Sequence, residues 1–107
     1  MHMSKYHVNF NVMRWESPVS GMRFKGIDKG NKRIRLIELT EHFFDKDWCT
    51  KGHIGYVLQG RVTFDFDGDS VEYRAGDGIF ILKGEMNKHK ANVDKGERAL
   101  MILVEDL

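Results

Sequence analysis

Hydrophobic and polar residues alternate in short blocks along this chain, and no block carries the three-to-four spacing of an amphipathic helix. Tyr6, Val8, Phe10 and Val12 alternate with polar neighbours, which predicts an opening strand. GMRFKGI and KRIRLIELT follow, parted by DKGN, a sequence suited to a hairpin turn. GHIGYVLQ and RVTFDFD meet at Gly60. Their period-two reading sets Ile54, Tyr56 and Leu58 on one face and His53, Gly55 and Val57 on the other. In that phase Tyr56 reads as core between two sheets. DGDS turns the chain into SVEYR, and AGDG turns it into GIFIL. NKHKANV is a weaker strand, while RALMILVE is apolar enough for burial on both faces. About nine strands spaced by Gly and Asp turns predict an antiparallel sandwich or barrel. Pro18 is the only proline, and no linker, repeat or low-complexity tract divides the chain. A single all-β domain over 1–107 is expected.

Composition narrows the function classes. The 107 residues hold 17 Lys and Arg against 16 Asp and Glu, so no overall field favours nucleic acid or a membrane surface. No apolar run approaches the roughly 20 residues of a membrane helix. No signal-peptide pattern opens the chain, and His2 is given no functional weight. One cysteine excludes an internal disulfide and fits a reducing compartment. A soluble cytoplasmic protein follows as the expectation.

That single cysteine lies in DKDWCTKGH, where Asp47, Cys49 and His53 crowd together ahead of a strand. Period-two geometry sets the three on one face of an extended segment. An unpaired carboxylate on a buried face costs several kcal/mol, so Asp47 calls for a metal, a basic partner, a ligand or water.

From about Asp47 to Val93 the sequence resembles the cupin family of small double-sheet barrels. The first block of that family reads His-x-His, three or four residues, Glu, six residues, Gly. Here Gly60 is preceded at the matching intervals by His53, Cys49 and Asp47. The second block reads Gly, five residues, Pro-x-Gly, two residues, His, three residues, Asn. Gly76 and Gly84 keep its spacing, with Leu82 at the proline position, Asn87 at the histidine position and Ala91 at the final Asn. The resemblance implies an antiparallel double-stranded β-helix, or jelly-roll barrel, with a pocket near Asp47, Cys49, His53, Asn87 and His89. It also implies a homodimer, for which the ALMILV run offers apolar surface. Metal-binding relatives use two His, a Glu and a third His, and none of those identities carries over. DWCxxGHxGYVLxG marks an atypical subgroup.

Two functions stay open on this reading. In one, the barrel binds a small molecule without catalysis, and the polar cluster orients it. In the other, Asp47, Cys49, His53 and His89 hold one zinc or iron ion for an enzyme acting on a small molecule, with Asn87 orienting water or substrate. Mixed N, O and S donors suit both metals. A third and weaker idea makes Cys49 a nucleophile with His53 as base. Four extended residues separate them by roughly 13 Å, so it needs a bend within TKG. Trp15, Trp48, Phe43 and Phe44 read mainly as packing residues. Arg23, Lys25, Arg33 and Arg35 alternate, which reads first as a solvated sheet face; one of them turned inward would clamp a ligand carboxylate. Glu38 is a secondary pocket candidate.

Overall fold

The computed structural model describes residues 5–107; His2 falls in the four residues outside it. Eight strands are present among the described residues: β1 Glu16–Val19, β2 Met22–Lys29, β3 Lys32–Thr40, β4 His53–Phe66, β5 Asp69–Arg74, β6 Gly78–Ile81, β7 His89–Asn92 and β8 Arg98–Asp106. All pairings are antiparallel. The hydrogen-bonded order is β1-β2-β3-β8-β4-β5, with β6 and β7 also joined to β4. This is the curled all-β architecture that the spacing of turns predicts.

Strand β4 is the hinge of the barrel. Its first half pairs with β6 and β8, and its second half, from Arg61, pairs with β5 while the last four residues also meet β7. The expected pair of strands about Gly60 is thus one long bent strand. Gly60 makes the bend, with φ +73° and no room for a side chain, since a Cβ there would stand 1.7 Å from the Arg98 carbonyl oxygen. A shift in register between Val57 and Gln59 on β8 precedes it, and such irregularities sharpen strand bending. The core lies between the two walls: Ile37 and Leu39 from β3, Val57, Val62 and Phe64 from β4, and Met101 and Leu103 from β8. Each such side chain contributes about 1.5–3 kcal/mol by burial.

Three expectations change. The opening segment forms no strand; Phe10–Val12 is a short 3₁₀ turn. The Asn9 side-chain oxygen accepts from the Asn11 N–H at 3.1 Å, and Lys25 Nζ donates to the Phe10 carbonyl at 3.0 Å, so local bonds replace a ladder. The first strand is instead β1, where Pro18 sits at the sheet edge, which tolerates its missing N–H. Strand β8 is buried on one face only, through Ala99, Met101 and Leu103, while Val104 points outward. Tyr56 likewise is outward and 46% exposed, because no second sheet covers that side of β4. No helix among the described residues is long and apolar enough to cross a membrane.

Candidate ligand pocket and metal centre

The cluster is assembled by backbone pairing and one bend. Cys49 and His89 form an isolated antiparallel bridge: the Cys49 N–H donates to the His89 carbonyl at 2.8 Å, and the His89 N–H returns to the Cys49 carbonyl at 3.0 Å. Directly opposed residues in such a pair project to the same face. The chain then turns through Lys51 and Gly52 before β4 begins at His53. Gly52 is hemmed in, for a Cβ there would meet the Lys83 nitrogen at 2.9 Å. The turn brings Cys49 Sγ within 3.7 Å of His53 Nε2, far closer than an extended chain permits. The His53 and His89 rings stand edge to face with centroids 4.9 Å apart. One donor atom from each of Cys49, His53 and His89 lies within 4.8 Å of the others.

Each imidazole is held from behind. His89 Nδ1 is 2.9 Å from the Asn87 carbonyl oxygen, which fixes that nitrogen as the N–H donor. Its Nε2 is buried and has no hydrogen-bond partner. His53 Nδ1 is 2.7 Å from Glu105 Oε2, a short contact that is poorly aligned for a hydrogen bond. Glu105 in turn receives both Nε and Nη2 of Arg35, at 2.6 and 2.7 Å. The charges follow this arrangement. The contact with His53, and then that with His89, brings the Cys49 thiol down to about 6 despite partial burial. Burial pushes His53 down, yet Cys49 and Glu105 outweigh it and carry the imidazole up to about 9. Burial pushes Glu105 up, but His53 and Arg35 hold it at about 2. Without metal, both shifts favour a thiolate on Cys49 beside an imidazolium on His53.

A cavity of about 120 Å³ adjoins the cluster. Met22, Ile37, Leu39, Phe43, Phe64, Ala91, Met101 and Leu103 supply apolar walls, and Arg35, Asp45, Cys49 and His53 supply a polar end. An apolar cavity of about 150 Å³ accommodates benzene, so this one suits a compact ligand. Asp45 is half-buried, and its Oδ2 accepts from the Ala91 N–H at 2.8 Å; burial pushes its carboxyl up.

Of the residues singled out in the sequence, Cys49, His53 and His89 come together. Asp47 does not join them. It is exposed, because only Cys49 of that segment is bridged and no extended face forms there. The Asn87 side chain turns away to donate to the Leu82 carbonyl at 3.2 Å, leaving its backbone oxygen to orient His89. Of the alternating basic residues, Arg35 faces inward, where it clamps the internal carboxylate of Glu105. Glu38 is buried but faces Arg23, at 2.8 Å, in a separate cleft. Trp15 stacks under Arg23 and Lys25, and Trp48 under Lys88 and Lys90; neither lines the cavity. Glu105 and Asp45 were not foreseen. An acid in phase with Ala99, Met101 and Leu103 was a usable signal for Glu105; Asp45 had none.

Residues 34–105, from β3 through β8, match the AraC-like ligand binding domain. The chain belongs to that family. Its match spans all three members of the cluster and every cavity-wall residue named above except Met22. No curated protein matches the sequence. Among solved structures, this AraC-like domain is similar to the EutQ protein of Clostridium difficile, with 26% identity over 79% of this chain and 67% of that one and a TM-score of 0.65. It also resembles the polyketide cyclase RemF of Streptomyces resistomycificus, with 19% identity, coverage of 97% and 80%, and a TM-score of 0.78. A cupin-superfamily sugar phosphate isomerase from Silicibacter pomeroyi superposes with a TM-score of 0.75 at 12% identity, covering 94% and 75%. The last two likenesses concern the fold, which is that of a cupin barrel.

Proposed function

We propose that this domain binds a compact small molecule in the barrel cavity, beside one zinc or iron ion held by Cys49, His53 and His89. The observation that carries the metal is His89 Nε2, a buried lone pair with no partner, facing a thiol and a second imidazole. Buried polar atoms are almost always satisfied, so an orphan in a ring of donors points to a missing partner. The donor set fits. Neighbouring S and N ligands of a tetrahedral zinc are about 3.5 Å apart, and Cys49 and His53 already stand at 3.7 Å. Three protein ligands with a fourth position open is the usual arrangement where small molecules reach a metal. Once bound, the ion supplies a Lewis-acidic anchor for a ligand head group. The chain supplies the rest: Glu105 and Asn87 orient the imidazoles, and the apolar walls hold the ligand body and exclude water. Binding is preferred to turnover because the family matched is a ligand-binding one.

Elemental analysis of the purified domain tests this. About one equivalent of one transition metal in the parent, lost in Cys49→Ala and in His89→Ala, is expected. A protein that stays empty after incubation with zinc and with ferrous iron near neutral pH would leave only a metal-free binder.

We also infer a homodimer, from the outer face of β4, β6 and β8. Ile54 pairs with Phe80 on one side and Val104 on the other, and Phe80 is 72% and Leu82 60% exposed. With Tyr56, 46% exposed, these side chains form an uncovered apolar patch of the kind that marks an interaction surface. A second copy bringing the same patch would cover both at once, as a two-fold interface does. Sedimentation of the parent as a dimer, and of Phe80→Lys as a monomer, is expected; a monomeric parent contradicts the inference.

A further inference from the structure

The charged pair behind His53 stands on an otherwise apolar wall. Strand β8 turns Ala99, Met101, Leu103 and then Glu105 to the interior, and β3 opposes them with Leu39, Ile37 and Arg35. Glu105 is 5% exposed. Ionised groups on such a wall each cost several kcal/mol to desolvate, and hydrocarbon replacements are often no less stable. Their geometry explains them better. Arg35 grips both Glu105 oxygens, and Oε2 stands 2.7 Å from His53 Nδ1, close enough for a small rotation of the ring to align the N–H with it. This leaves Nε2 as the His53 nitrogen turned to Cys49. The neutral Asn87 carbonyl does the same task for His89.

We propose that Glu105 is the positioning residue of the metal centre: it faces His53 Nδ1 as the acceptor for that nitrogen's proton, so that Nε2 is aimed at the ion, while Arg35 holds Glu105 in place. The proposal rests on the metal reading above. An anionic partner makes an imidazole a stronger donor, and losing such a partner typically weakens metal affinity 10–100-fold. Because Arg35 balances Glu105, this gain adds no net charge to the pocket wall.

Cobalt binding by the full chain is the test, with affinity from chelator competition and the thiolate-to-cobalt absorption band as the sign of Cys49 ligation. Glu105→Gln should bind cobalt 10–100-fold more weakly while keeping the sulfur band. Glu38→Gln is the matched control, as Glu38 is also buried and paired with an arginine but lies away from the cluster. It should bind within about twofold of the parent, since it removes a comparable buried charge without touching a ligand. Equal affinity in Glu105→Gln, or equal losses in both variants, would overturn the role of Glu105. A parent that takes up no cobalt would instead overturn the metal reading. Nitrogen-15 spectra of the zinc-loaded parent decide the matter without any substitution: His53 should carry its proton on Nδ1 and coordinate through Nε2, and the reverse tautomer would refute the proposal.

Discussion

Replacing Ala91 with leucine tests the cavity itself. Ala91 lies on β7 opposite Phe64, 9% exposed, with its side chain on the cavity wall and its N–H held by Asp45. The change adds three carbons to a space of about 120 Å³. Burying three methylene equivalents contributes about 2.4 kcal/mol. Fixing the leucine rotamer takes back about 0.5–1 kcal/mol. A net gain of about 1.5 kcal/mol is therefore expected, which in urea raises the unfolding midpoint by roughly 1 M at unchanged m. Zinc content should not change, because Ala91 is not a ligand. If the wall were already close-packed, the same substitution would cost about 1–3 kcal/mol through overpacking. A midpoint that falls would refute the cavity and the ligand-binding reading built on it.

Further outcomes follow from the electrostatics and from the residues left out of the cluster. In metal-free protein, iodoacetamide should label Cys49 at a rate that rises with pH through about 6, where its thiol ionises, and added zinc should protect it; labelling that rises only near an ordinary thiol pKa contradicts the thiolate–imidazolium pair. The carboxyl of Glu105 is held below its unfolded value, so its stabilisation is present above the usual 4.5 and lost as pH falls through about 2. Urea midpoints measured across that window should drop more steeply in the parent than in Glu105→Gln, and parallel curves would argue against a buried ionised Glu105. Asp47→Asn should leave metal stoichiometry at the parent value, since Asp47 is exposed and outside the donor group; loss of metal would return it to the ligand set.

What could be read in advance was the part governed by local rules. Gly60, Gly68 and Gly76 all hold positive φ, and each stands where the chain turns between alternating segments. The inward phase of His53 and Val57 follows from the strand period alone. Segment Tyr6–Val12 alternates just as well, yet it is taken up by the Asn9 cap, a local bond that periodicity does not register. The cluster was only partly legible. Its members were among the expected residues, but the closeness of Cys49 to His53 depends on the turn at Gly52, and that of Cys49 to His89 on a single bridge. Glu105 meets His53 across 52 positions of chain, and Arg35 meets Glu105 across 70. Such pairings arise from sheet register, which a single sequence does not reveal. The face of Ile54, Tyr56 and Leu58 is exposed rather than core for a related reason, since alternation separates two faces without saying which of them a second layer covers.

The account turns on three side chains sharing one ion at the polar end of the cavity. X-ray absorption at the zinc edge of the loaded protein measures this directly. One sulfur at about 2.3 Å and two imidazole nitrogens at about 2.0–2.1 Å are predicted. A first shell of oxygen and nitrogen without sulfur would place the ion elsewhere and contradict the assignment of Cys49, His53 and His89.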